Sequence, residues 1–243
     1  MESLENLINQ KEELEKELDI INTKINTINF ENKAKQNFTK RLEEYKLTTT
    51  NWCNIMSFVY AFGGMIAGSF ALFSYLDSDL KENDLDIWFS LGEDKYLDCK
   101  RILENYLYNL EYYPGTNNNS FKGQVCVQED EDLKANRYLE NNRINKIIHK
   151  IYSYTNKKLN KTIQIIFAKV DHISILKSFD LSFCAVGYDG YKFLVLYEKL
   201  TREKKGFLLN YAETTREKNR IQKYIKRGFE INFNIWADLL DQN

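Results

Sequence analysis

Apolar residues at the start of the chain recur at alternating intervals of three and four. Leu7, Leu14, Ile21 and Ile28 occupy one position of a seven-residue repeat, and Leu4, Lys11, Leu18 and Ile25 occupy another. That spacing winds an apolar stripe along a helix, so residues 1 to about 46 are predicted to be helical, with a coiled-coil seam broken only by Lys11. A lysine in such a seam lowers stability and helps to set register or oligomer state. Residues 1–28 therefore suit a homodimer or another partner helix; the other outcome is a helix folded back on its own domain.

The pattern then changes. No charged residue occurs between Trp52 and Leu76, and Ile55 to Leu76 is long enough to cross a bilayer, with Gly64-x-x-x-Gly68 inside it. Three serines, three glycines and sparse Lys/Arg flanks argue against a span, so a buried strand followed by a helix is the preferred reading. From about residue 47 onward, short apolar runs predict strands at Phe62 to Ala67, Leu85 to Phe89, Thr162 to Val170, Leu181 to Val186 and Tyr191 to Tyr197. Asp189-Gly190 between the last two predicts a tight antiparallel hairpin. Helices are predicted over 69–76, 95–110, 134–154 and 213–227, and a loop from Pro114 to Ser120. The pattern is that of an α/β or α+β domain over residues 47–243, preceded by a helical arm over 1–46.

Composition adds little until it is read locally. The chain has 34 basic and 35 acidic residues, so its total charge does not argue for nucleic acid. Residues 77–98, however, carry eight acidic and two basic side chains; 134–161 carry eight basic and one acidic, and 199–227 ten basic and three acidic. One acidic and two basic segments suit a cleft with metal on one wall and polyphosphate or RNA on the other. Four widely spaced cysteines and two histidines do not suit a zinc site, and they fit free thiols in a reducing compartment. Without a signal-peptide pattern at the start, the expected location is cytoplasmic.

The candidate chemistry lies in Asp84-Leu85-Asp86-Ile87-Trp88-Phe89. Side chains alternate along a strand, so Asp84 and Asp86 share one face and can share divalent cations through hard oxygens. Upstream, Gly68-Ser69 ends an apolar run and opens a helix, a place where glycine permits close approach and free N–H groups attract phosphate. Downstream, Asp180 enters another apolar segment and completes a three-carboxylate cluster if that segment borders the strand carrying Asp86.

Gly-Ser, a helix, a strand with Asp-x-Asp and a later carboxylate together resemble the nucleotidyltransferase superfamily of DNA polymerase β and poly(A) polymerases. Phe179-Asp180-Leu181-Ser182-Phe183-Cys184, Tyr188-Asp189-Gly190 and Arg220-x-x-Lys223-Tyr224-x-x-Arg227-Gly228-Phe229 look like the nucleotidyltransferase-like proteins of large DNA viruses. The resemblance covers about residues 55–230 and, if the chain is viral, places it in the host cytoplasm. It implies an α+β fold with a mixed sheet flanked by helices, and transfer of a nucleotide from an NTP to a hydroxyl on RNA, protein or a small molecule. It further implies Mg²⁺ or Mn²⁺ on Asp84, Asp86 and Asp180, and nucleotide contacts from Gly68, Ser69, Arg220, Lys223 and Arg227. Fourteen residues separate Ser69 from Asp84, a wider gap than the family pattern, and no separate base-recognition domain follows Asp180. Two other readings stay open: a non-catalytic scaffold on the same fold, and a membrane-anchored coiled-coil protein.

Overall fold

The computed structural model describes residues 4–47, 49–82, 84–91, 93–114, 147–209 and 215–233. In chain order the elements are α1 (Leu4–Glu43), α2 (Thr49–Ala61), β1 (Gly64–Ala67), α3 (Ser69–Tyr75), β2 (Asp84–Ser90), α4 (Glu93–Asn109) and β3 (Tyr113–Pro114). After them come β4 (Ile148–Asn156), β5 (Lys161–Ala168), α5 (His172–Lys177), a 3₁₀ turn (Ser182–Cys184), β6 (Val186–Tyr188) and β7 (Phe193–Val195). The last are α6 (Glu198–Arg202), β8 (Lys205–Phe207), α7 (Thr215–Ile225) and β9 (Glu230–Asn232). The fold is α+β, a mixed sheet flanked by helices with a long N-terminal helix.

The main sheet has the order β3-β4-β5-β2-β1-β6-β7, and β8 and β9 form a separate parallel pair. Only β2 and β5 run parallel in the main sheet; its other neighbours are antiparallel. The period of two decides which face each residue serves. Leu85, Ile87 and Phe89 of β2 and Ile163, Ile165 and Phe167 of β5 pack with Leu42, Tyr45, Val59 and Leu103 from α1, its C-terminal turn, α2 and α4. Trp88, Ile166 and Ala168 point to the other face, where Ile175 and Leu176 of α5 cover them.

Helix α1 serves two purposes. Ala34, Phe38 and Leu42, four residues apart, are buried, and Phe38 meets Phe70 of α3 edge-on at 5.1 Å. Every described side chain from Ile8 to Asn26 is exposed. The helix closes with Lys46 in the left-handed region (φ 55°), while the Leu47 N–H donates to the Leu42 carbonyl and the Lys46 N–H to that of Glu43. Asp77 after α3, Glu111 after α4 and Gly228 after α7 repeat this paired-bond ending with positive φ.

Several expectations are corrected. The uncharged run 52–76 is divided among α2, β1 and α3, and no helix among the described residues is long and apolar enough to cross a membrane. The helix expected over 134–154 is strand β4 from Ile148 onward, where Tyr152, Tyr154 and Asn156 are buried alternately; residues 134–146 lie outside the described residues. The strand expected over Leu181 to Val186 is mostly a 3₁₀ turn. There the Phe207 N–H donates to Ser182 Oγ at 2.9 Å and Leu181 bridges Leu208, so burial comes from packing rather than from a ladder. The hairpin at Asp189-Gly190 is present: Asp189 Oδ1 accepts from the Tyr191 and Lys192 N–H groups, and Gly190 has φ 99°. Beyond Pro114, the predicted loop lies outside the described residues, as does Cys126. Cys99 and Cys184 are buried thiols and Cys53 is exposed.

Candidate active site

Strand β2 delivers two carboxylates. Leu85 and Ile87 are pulled into the core, which turns Asp84 and Asp86 to the opposite face, half-buried. Asp86 lies opposite Ala67 of β1 on one side and Gln164 of β5 on the other; Asp84 lies opposite Thr162. Because Ala67 is the last residue of β1, the chain turns immediately beside Asp86, at Gly68. Gly68 has φ 85°, and a Cβ built there would lie 3.2 Å from Asp86 Oδ2. Glycine is thus required twice, for the left-handed backbone and for the approach to the carboxylate. Ser69 starts α3, a helix of seven residues with no side-chain cap. The Gly-Ser and Asp-x-Asp elements are therefore brought together, although fourteen residues separate them in the chain.

Beneath this face lies a buried ion network that sequence reasoning did not identify. The Glu82 side chain is fully buried, and Arg41 Nη1 donates to its Oε2 at 2.7 Å. Arg41 also donates to the Leu80 carbonyl at 2.9 Å and to that of Ser78, tying the connection from α3 to β2 onto α1. Lys161, at the start of β5, donates to the Glu82 carbonyl and to Glu44 Oε2, both at 3.1 Å, and its ammonium sits 4.6 Å from the Tyr45 ring centroid. Burial raises the Glu82 carboxyl above its ordinary range, and Arg41, a backbone hydrogen bond and then Lys161 oppose this. Burial also pushes the Tyr45 phenol up, with Glu82, Asp84 and Asp86 adding to the effect. The signal for Arg41 was available: with Phe38, Leu42 and Tyr45 it falls on the core-facing side of α1, an unusual place for an isolated cation.

The remaining predicted residues form a second group. Asp180 Oδ2 lies 3.3 Å from Arg220 Nε, whereas its Oδ1 is buried with no hydrogen-bond partner among the described residues. Arg220 also faces Cys184 and lies 6.0 Å from the Tyr224 ring centroid. The segment following Asp180 leads to β6, which borders β1 rather than β2. Arg227, two residues beyond α7, donates to the Lys81 carbonyl at 2.9 Å and lies 5.0 Å from the Phe73 ring centroid. Both arginines thus already hold protein groups. Lys223 differs: it is exposed on α7, and desolvation and then Arg227 lower its pKa, against the attraction of Asp84. Among the described residues, no three His, Cys, Asp or Glu side chains converge closely enough to enclose a metal ion.

No protein-family model matches the sequence, and no curated protein sequence matches it. Among solved structures, the chain is similar to a CCA-adding enzyme in an apo form, at 15% identity over 81% of this chain and 42% of that one, with a TM-score of 0.47. It is similar also to the Thermotoga maritima CCA-adding enzyme complexed with tRNA, at 14% identity over 74% of this chain and 39% of that one, TM-score 0.46. A third is a tRNA-processing enzyme with CTP, at 11% identity over 70% of this chain and 40% of that one, TM-score 0.42. The chain spans about two-fifths of the length of these structures. Likeness at this level leaves the chemistry to be argued from the residues.

Proposed function

We propose that the chain is a metal-dependent nucleotidyltransferase that moves a nucleotide from an NTP to a hydroxyl acceptor, releasing pyrophosphate. The acceptor classes that suit this reading are an RNA 3′ end, a protein or a small molecule. The observation that carries it is the meeting of Asp84 and Asp86 on one face of β2 with Gly68, whose missing side chain leaves space against Asp86 Oδ2.

The donor set fits Mg²⁺ or Mn²⁺, hard cations that take carboxylate oxygens and keep positions for water and phosphate. Asp84 and Asp86 would hold the ion; Asp180, which Arg220 holds and which does not converge with them among the described residues, is proposed to join as a third ligand once metal and NTP are bound. Bound there, a divalent cation supplies charge neutralisation of the triphosphate and acidification of an attacking hydroxyl. The residues do the positioning. Gly68 admits a phosphate close to the carboxylates, and Ser69 offers a hydroxyl donor beside it. Lys223 brings a cation toward the same face from α7, while Arg220 and Arg227 brace Asp180 and the strand entry. Partners in this reading are the NTP, the acceptor and, through residues 1–28, another helix.

A test is incubation with Mg²⁺ or Mn²⁺ and each α-labelled NTP, using total RNA and cell lysate as acceptors, followed by gels that resolve RNA and protein. Label that depends on Asp84, Asp86 and Asp180 supports the transferase and reveals the acceptor class. Absence of label under every condition favours the second reading, a non-catalytic scaffold, for which the exposed arm of α1 is the motivating observation. Lys223→Ala is expected to raise the KM for NTP about tenfold while kcat changes less than about threefold, because its cation meets ground state and transition state alike. Steady-state kinetics on varied NTP decide this, and an unchanged KM removes Lys223 from the site.

A further inference from the structure

The exposed half of α1 carries an apolar stripe that the globular body does not cover. Leu14, Leu18, Ile21, Ile25 and Ile28 are 49–64% exposed, although they repeat at the three-and-four spacing of a helix seam. At about 100° per residue, their stripe lies roughly 120° around the helix from Ala34, Phe38 and Leu42, which pack on the globular body. The body therefore cannot bury both faces of the same helix. The free portion, residues 4–29, extends about 39 Å, and helices in proteins owe most of their stability to packing of an apolar face rather than to propensity.

We propose that this stripe pairs with the same stripe of a second copy of the chain, in antiparallel orientation. Setting Leu18 against the partner's Ile21 and Leu14 against the partner's Ile25 gives a continuous two-fold seam, with Lys11 and Ile28 as its outermost layer at both ends. The flanking residues then complement one another. Glu17 faces the partner's Lys24, and symmetry makes that pair twice. Lys11, whose ammonium lies 3.6 Å from Glu15 on its own helix, sits at a seam end where its head reaches water. The parallel arrangement has neither advantage. It places both Lys11 side chains in one layer, and it sets Glu17 against the partner's Asn22 and Lys24 against the partner's Asn29. Ile20 lies off the seam and takes no part. The pairing is independent of the chemistry at Asp84 and Asp86.

Sedimentation velocity and light scattering on the full chain are expected to give a dimer at tens of micromolar. Leu18→Glu with Ile21→Glu should yield a monomer whose melting temperature stays within about a degree of the parent's, since both residues are exposed and off the core face. Glu17→Lys, which turns two attractive contacts into two repulsive ones, should weaken dimerisation about tenfold, and adding Lys24→Glu should restore it. A monomeric parent, a trimer or larger assembly, or a dimer indifferent to Leu18→Glu with Ile21→Glu overturns the interface. Indifference to Glu17→Lys, or a defect that Lys24→Glu fails to restore, overturns the antiparallel orientation.

Discussion

Asp84→Asn with Asp86→Asn is expected to lower metal-dependent nucleotidyl transfer roughly a thousandfold, because hard-oxygen ligands that stabilise developing charge are lost. The fold should not suffer. Leu85, Ile87 and Phe89 carry the packing of β2 on the side that faces away from the two carboxylates. Asp84 and Asp86 stand two residues apart on one face of β2, so neutralising both relieves their mutual repulsion. The melting temperature without metal should hold or rise slightly, and its increase on adding Mg²⁺ and NTP should disappear. Retained transfer in the double variant would place the chemistry elsewhere.

Arg41→Ala is expected to cost about 3–5 kcal/mol of stability, since it leaves a buried carboxylate without its main partner. Lys161, at 4.0 Å from Glu82 Oε1, does not replace it, and the Ser78 and Leu80 carbonyls lose a donor as well. The loss should depend on pH in a definite direction. The Glu82 carboxyl is raised in the folded chain, and removing Arg41 removes the larger of the two cationic influences that hold it down. The folded variant then takes up a proton at a pH where the unfolded chain is still ionised, so its stability falls as pH rises through the folded pKa. The deficit relative to the parent should be greatest near neutrality and shrink as pH falls toward the ordinary carboxylate range. Urea unfolding at about pH 4.5 and 7.5 reads the difference. Arg41→Ala with Glu82→Gln should recover part of the loss at neutral pH, and a deficit equal at both pH values would remove Glu82 from the explanation.

Much of the fold was legible because its signals were local. The alternation in Asp84 to Phe89 and Thr162 to Ala168 marks β2 and β5, and the turn chemistry of Asp189-Gly190 marks the β6–β7 hairpin. Gly228 marks the end of α7, but Lys46, Asp77 and Glu111 end helices in the same left-handed geometry without any sequence signal. The glycine is the favoured residue there, and the other three are tolerated because paired backbone hydrogen bonds and packing outweigh a modest conformational cost. The continuous burial of Leu181 to Val186 looked like a strand; the 3₁₀ turn forms because Ser182 and Leu181 find partners in 207–208 rather than in the main sheet.

By itself, the sequence determined the elements whose periodicity and turn residues are contiguous: the long helix, the Asp-x-Asp strand, the Gly-Ser turn and α7. Only the tertiary structure decided how they meet. The antiparallel register of β1 on β2 puts Gly68 against Asp86, whereas the placement of β6 beside β1 leaves Asp180 paired with Arg220. It also decided that Arg41, Glu82 and Lys161 form one network, although 119 residues lie between the first and the last. Periodicity reports which face of an element is apolar. It carries no information about which elements become neighbours, because that depends on loop closure and on the burial of whole faces against one another.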